Sequence, residues 1–508
     1  MINFIPNDPL AKTSPPNRKI KAAKKRPAGR ANFDFNGAIA EATYNVGTPE
    51  FLFWQCREAA LLAVTTWEEI DGNLKKWGPE SPARLTLTEN AGVELNAGYT
   101  REGLDFYEFT TGTKTTFSGA STDVVSHEAG HALLDIIRPD LWTTTFPETN
   151  AFHEAFGDCM AILTALYDKD TRVALLKATP DLSKKNFVES LMEDLADGIK
   201  REFGATFDAA APRRALNNFK WQLPDSLPAS GKPGVLTSEV HTFGQVFAGC
   251  FYDTVRNIFA MQSKQDQANL WKAAVIAGKL LIDATREAPE TPRFFQAIGR
   301  AMVLADQKLN NGDHRTAIGD AFNRHALKLG SAAMLAPRAS LAGSAPKVTG
   351  KRGASILNSS TREDLKRRIG AAPTARLSVS ARSIGDDTIA EATHRREVHL
   401  GDLSKDLKGV VAFAAEQVLV GSSGKRAALV SAMPDASITT NEVQTFVKSL
   451  LETDAIAFED ESASTAPTRG FRAAGPTKSA AAKPRRRLPT HVIRQKGAQK
   501  VLERLRFV

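Results

Sequence analysis

The 508-residue sequence predicts an α+β chain whose two lobes meet at a pair of helices. Three observations lead there. Between Leu85 and Phe109 apolar residues recur in short extended runs, the mark of a small sheet. From about residue 150 to residue 330 they recur at three-and-four spacing, the mark of packed helices. At the junction stand Ser126-His127-Glu128-Ala129-Gly130-His131 and, downstream, Ala151-Phe152-His153-Glu154-Ala155-Phe156-Gly157-Asp158. The chain then divides into a disordered basic arm (1–33), a sheet-containing lobe ending with the first of these helices (34–148) and a helical lobe (149–330). A linker (331–389), a small α+β unit without an assigned role (390–461) and a basic tail (462–508) follow.

Bulk properties bound what such a chain can do. A hydrophobic content of 42% is that of a globular protein with real cores, and no run of eighteen apolar residues offers a membrane span. The net charge of +9 belongs to the ends. Residues 1–33 carry eight Lys or Arg against one acid and residues 462–508 carry twelve against one, leaving the middle acidic. Such tails suit an acidic partner, nucleic acid or an anionic membrane surface, solvated disorder being the plainer reading. The first 33 residues lack the apolar stretch of a secretory signal, and Cys56, Cys159 and Cys250 sit singly in apolar helical patterns as free thiols. Both features lead us to expect a cytoplasmic protein.

Taken in order, Phe53, Cys56, Ala60, Val64 and Trp67 build an amphipathic helix over Phe51 to Asp71. Leu85 with Leu87, Val93 with Leu95, and Leu104 with Phe106 and Phe109 form short strands of a small antiparallel sheet, with Arg101-Glu102-Gly103 as a turn. Ser121, Thr122 and Asp123 offer N-cap oxygens to the helix carrying His127 and His131, and Pro139 stops it. A second helix opens near Pro147 on Phe152, Phe156, Met160 and Leu163. Helices are expected over Gly244–Met261, Gln265–Arg286, Pro292–Leu309 and Thr316–Leu327. In the linker a short helix spans Thr361 to Ile369. Thr439 and Glu442 read as a capping box before Val443, Phe446, Val447 and Leu450, and Val501 to Val508 suit a short amphipathic helix.

Two histidines four apart share a helix face, so both rings can converge on one ion, while the glutamate between them stands beside it. Glu154 supplies a third ligand and Asp158, one turn on, an outer acceptor that orients a ligating histidine. His153, next to Glu154, points about 100° around the helix. Three protein ligands leave one position open, the arrangement of a catalytic metal site.

These residues, together with Leu95-Asn96-Ala97-Gly98-Tyr99, Arg214 in Pro212-Arg213-Arg214-Ala215-Leu216, and Val240-His241-Thr242-Phe243-Gly244-Gln245, resemble the thermolysin family of zinc metallopeptidases, the gluzincins. The resemblance runs from about Phe33 to Gly330. It implies a two-lobe zincin fold with one Zn2+ on His127, His131 and Glu154, and with Glu128 as general base. It further implies Asn96 and Ala97 on the edge strand that pairs with substrate, Arg214 on a substrate carbonyl, and His241 stabilising the tetrahedral intermediate. The expected activity is that of a zinc metalloendopeptidase on peptide or protein substrates. The alternative is an inactive chain of the same fold that binds partners through its basic tails.

Three positions depart from the family pattern. Leu236 stands where an aspartate would orient His241, leaving Glu239 or another group to do so. Ala165 stands where a calcium-ligating glutamate would, so the double calcium site is expected to be absent although Asp123 is kept. Trp142 falls near the place of a tyrosine that assists the oxyanion.

Overall fold

The computed structural model describes residues 1–11, 17–35, 37–330, 348–349, 359–368, 371–372, 374–384, 387–423, 426–429, 435–458 and 488–508. Strand β1 (Ile2–Phe4) pairs antiparallel with β2 (Arg18–Ile20). Strand β3 (Asn32–Phe35) then leads into the long helix α1 (Pro49–Asp71), whose N-cap Thr48 side chain accepts from Phe51 N. Strands β4 (Arg84–Thr88), β5 (Ala97–Tyr99) and β6 (Gly103–Phe106) complete a four-stranded sheet of order β3-β4-β6-β5.

This sheet is mixed rather than antiparallel as expected. β3 pairs β4 and β4 pairs β6 in parallel, with only β5 antiparallel to β6. The physical reason is the connections: α1 crosses between β3 and β4, and the chain passes through β5, on the far side of β6, before β6 pairs with β4, so each parallel partner is reached after an intervening element. Strand β5 is the outer strand, next to the junction of the lobes. Val93, expected inside a strand with Leu95, is 66% exposed and forms an isolated bridge to Glu108. A hairpin of β7 (Glu108–Thr111) and β8 (Lys114–Phe117) turns at Gly112, whose φ of +63° a side chain disfavours.

Helices α2 (Thr122–Ile137) and α3 (Pro147–Tyr167) form the centre of the molecule. A Cβ on Gly130 would sit 2.8 Å from the Cα of Gly157, and a Cβ on Gly157 only 2.5 Å from His127 Nδ1. Two glycines at the crossing therefore let the helix backbones approach closely enough for their polar side chains to meet. Beyond them come α4 (Lys169–Ala178), the short strand β9 (Ser190–Leu191), α5 (Glu193–Phe203) and β10 (Arg213–Arg214), which pairs β9. The helical lobe closes with α6 (Val240–Ala260), α7 (Gln267–Glu287), α8 (Phe294–Leu309) and α9 (Arg315–Arg324). One continuous apolar core joins both lobes, from Phe4 through Trp67, Phe106, Phe156 and Phe247 to Leu329, and includes Phe507. Cys56, Cys159 and Cys250 are buried free thiols within it.

The C-terminal unit is a sheet of β11 (Val348–Thr349), β12 (Ser378–Ile384), β13 (Asp387–His399), β14 (Val410–Ser423), β18 (Gln499–Arg504), β17 (His491–Lys496) and β16 (Ile456–Phe458), in that order, with β15 (Arg426–Leu429) on β14. A helix of the expected linker, α10, spans Ser359–Arg368, and β12 also falls inside that linker. Helix α11 (Ala436–Glu452) covers the unit. Its N-cap is Asp435, which accepts from Ser437 N and Ile438 N. The expected capping pair instead lies within the helix, where Glu442 meets Arg293 at 2.7 Å.

The described parts of both ends are tied to the body or to a sheet. Arg18 pairs with Asp168 and Asp170, and Arg26 and Arg30 pair with Glu68, so acids of the body neutralise the arm. Val501 to Arg504 belong to a strand rather than to the expected short helix. Residues 462–487 of the tail lie outside the described residues. No helix among the described residues is long and apolar enough to cross a membrane.

Candidate metal centre

His127 and His131 stand one turn apart on α2, and Glu154 faces them from α3. All three are buried, and one ligand atom from each lies within 4.8 Å of the others. Glu154 Oε2 sits 3.3 Å from His127 Nε2 and 3.8 Å from His131 Nε2. Among apolar neighbours so tight a polar cluster requires compensation. The nitrogen His131 Nε2 and the oxygen Glu128 Oε2 are buried without a hydrogen-bond partner.

Burial and then Arg213 act to lower His127, but Asp158 and Glu154 hold it above the usual histidine range, so a metal would have to displace its proton. Burial holds His131 well below the usual histidine range, so it presents a neutral ring. Burial also acts to raise Glu154, but the charge of His241 and the hydrogen bonds from His127 and His241 keep the carboxyl well below its ordinary value, an anion. Two imidazoles and one carboxylate, with an orphaned nitrogen among them, form a donor set that could hold a metal ion.

Each ligand is held from behind. His127 Nδ1 lies 2.9 Å from Asp158 Oδ1. His131 Nδ1 meets His153 Nδ1 at 2.8 Å. The ring of His153, adjacent to Glu154 in sequence, lies against His131 instead. Glu128, one residue on from His127, is pushed up to about 7, chiefly by burial and then, against the lowering effect of His127, by Glu154.

His241 enters from the first turn of α6, its Nε2 3.2 Å from Glu154 Oε2. Burial acts to lower it, but Glu154 and Glu239 together hold it well above the usual range. Glu239 Oε1 lies 2.6 Å from His241 Nδ1, while its other oxygen accepts from His241 N and Thr242 N at the helix start. One carboxylate thus caps the helix and orients the ring where Leu236 could not.

Arg214 turns away from the centre. Its guanidinium meets Glu189 at 2.7 Å, and its neighbour Arg213 reaches in, 3.0 Å from Asp158 and 3.2 Å from His127 Nδ1. Adjacent residues of the strand β10 point to opposite faces, so the two arginines cannot share a direction. Asn96 and Ala97 line the cleft with Glu128 and His241, and the Asn96 side chain accepts from Ala97 N at 2.9 Å. Trp142 is packed edge-on against Tyr99 under the Arg101 guanidinium.

A second group that spacing did not suggest joins Asp8 of the arm to Asp123 and Glu193, one oxygen of each within 4.8 Å of the others. Burial, and then the Asp123 charge, pushes Glu193 up to about 7 and Asp8 well above its ordinary range. Ala165, at the position where the family carries a calcium ligand, is buried in the core. Only a long-range contact across 115 residues brings Asp8 to Asp123, which is why no local pattern announced it.

No curated protein matches the chain. A family does: residues 85–333, which contain both helices, Arg213 and His241, match the sequence model of the fungalysin metallopeptidases (M36). Over that stretch, just under half of its length, the chain is similar to this family of thermolysin-like gluzincin metallopeptidases.

Proposed function

We infer that the protein is a zinc metalloendopeptidase that cleaves extended polypeptides in the cleft between the sheet lobe and the helical lobe. The observation that supports this best is the buried donor set His127, His131 and Glu154, with the unpartnered Glu128 carboxyl at its side. Zn2+ held by those three residues supplies a Lewis acid that polarises a carbonyl and acidifies water. Glu128 takes the proton of the attacking water and passes it to the departing amine. Burial suits it to both roles, because a carboxyl near neutrality accepts and releases a proton at similar cost. His241, kept protonated by Glu154 and Glu239, donates Nε2–H to the oxygen on which charge develops. An extended substrate gains main-chain hydrogen bonds by adding to the outer strand β5 beside Asn96 and Ala97. Arg213, at the mouth of the donor set, is placed to reach a substrate carbonyl in the role first given to Arg214.

The test is Glu128→Gln. It should retain about one zinc per chain by elemental analysis and cleave a peptide library about 10² to 10⁴ times more slowly than the parent. Near-normal, chelator-sensitive turnover by that variant would overturn the mechanism.

A further inference from the structure

The end of β18 does not lead away from the cleft. Beyond Arg504 the backbone crosses to β5, where Tyr99 N donates to Phe507 O and Phe507 N donates to Tyr99 O, both at 3.0 Å. The two residues form an antiparallel bridge on the strand that a peptide substrate would join. A side chain at position 98 would hold such a strand off, but Gly98 leaves Phe507 O only 3.1 Å from where a Cβ would be.

The Phe507 ring is 1% exposed. It stacks on His153 with ring centroids 3.5 Å apart and on His131 at 4.9 Å, and Trp142 meets it edge-on. The Arg504 guanidinium lies over the ring, 3.9 Å from its centroid, and is anchored in turn by Trp142 O and the Asn150 side chain. Arg506 donates to the Tyr107 hydroxyl at 3.4 Å. One residue further, Val508 O accepts from His241 Nε2 at 2.6 Å. That nitrogen is the one assigned above to the substrate's developing oxyanion, and Val508 lines the cleft beside Glu128 and Asn96.

We propose that residues 505–508 are a ligand of the substrate cleft supplied by the chain itself, a competitive inhibitory strand that must leave before a substrate can enter. The proposal rests on the peptidase reading for what is inhibited. Direction, backbone pairing and the carbonyl at His241 are those of an extended peptide. The Phe507 slot assigns the class of external ligand: peptides with an aromatic residue immediately before the residue whose carbonyl faces His241. Tethering makes weak affinity sufficient, since a short connection sets an effective concentration in the millimolar range.

The experiment uses the full-length zinc-loaded chain and its Phe507→Ala and Arg504→Ala variants. The probe is a fluorescent decapeptide of residues 499–508, Gln-Lys-Val-Leu-Glu-Arg-Leu-Arg-Phe-Val. Binding is read by anisotropy in a Glu128→Gln background, and cleavage of a quenched peptide in the parent background. Expected are decapeptide binding at least about tenfold tighter to either variant than to the parent and a comparable rise in kcat/KM at unchanged zinc content. The free decapeptide should inhibit both variants competitively, and its Phe→Ala analogue should bind at least about tenfold more weakly. Equal binding and equal rates in parent and variants overturn the proposal. Should Phe507→Ala lose its fold through the core, Arg504→Ala carries the same comparison. A variant that gains the decapeptide but cleaves nothing upholds the inhibitory strand as a cleft ligand and overturns the peptidase reading instead.

Discussion

Two buried polar centres lie along α3, and they differ in what is left unmet. At its N-terminus Glu148 is fully buried and fully bonded: Trp221 Nε1 and Phe295 N donate to it at 3.0 Å, with Arg293 beyond at 3.4 Å. Two turns on, Glu154 and its histidines are equally buried, but His131 Nε2 and Glu128 Oε2 have no partner. Burial pushes both Glu148 and Glu128 up to about 7, so titration alone does not separate them. What separates them is satisfaction. A buried acid whose oxygens are all bonded to the fold holds elements together, whereas orphaned donors converging on one point await a ligand.

The sharpest break of that comparison removes a donor from each centre. His131→Ala should leave a chain that retains no zinc after dialysis and cleaves no peptide, because two donors do not hold the ion. Glu148→Gln keeps an acceptor for only one of Trp221 Nε1 and Phe295 N, so it should cost stability, yet it should retain stoichiometric zinc with activity within a few-fold of the parent. Elemental analysis beside a cleavage assay reads both, and a Glu148→Gln chain without zinc would show that the two centres are one. Next in size is the layer behind the ligands. Asp158→Asn, which weakens the hold on His127 Nδ1, should cost about 10- to 100-fold in zinc affinity by chelator competition. Gly157→Ala should fall in the same range, since its new methyl group would lie 2.5 Å from that nitrogen and must displace the ring. Unchanged affinity in both would mean that the helix crossing does not set the ring.

The donor set was legible because its members are close in sequence or share a helix register: His127 and His131 four apart, Glu154 and Asp158 four apart. Glu239, two residues from His241, was open to the same reasoning. What local pattern missed depends on contacts between distant segments. His153 was read by its angle on α3, but its role is set by the ring of His131 on another helix. The choice between Arg213 and Arg214 rests on which face of a two-residue strand looks at the cleft, and spacing carries no sign for that. The arm looked disordered because composition counts charges and not their partners; Arg18 finds Asp168 across 150 residues. Val501 and Leu502 on a short amphipathic run suit helix or strand equally, and pairing with β17 decides between them. The order in which strands pair is equally non-local: β5 lies beyond β6, so β6 pairs with β4 in parallel, and the expected antiparallel sheet is mixed.

The smallest effect expected is on stability, at the seam between the helical lobe and the C-terminal unit. Glu290 is buried there, its carboxyl accepting from the Thr144 hydroxyl and its backbone N–H donating to Gln417 Oε1 at 2.7 Å. Burial, with Asp140 adding to it, pushes this acid up to about 8 from an ordinary value of 4.5. Between those two values the folded chain keeps a proton that the unfolded chain has released. The stability this lends is therefore fully present below about pH 4.5 and is lost as the pH rises through about 8. Glu290→Gln keeps the acceptor for Thr144 but cannot ionise, so its curve should lack that decline. Thermal midpoints should nearly coincide at acidic pH, and above pH 8 the variant should melt higher, by roughly a few degrees. A parallel pair of melting curves would mean that the seam admits solvent to Glu290. Glu290 would then resemble the orphaned centre in its demand for a partner, and the contrast between the two centres on α3 would have to be redrawn around Glu148 alone.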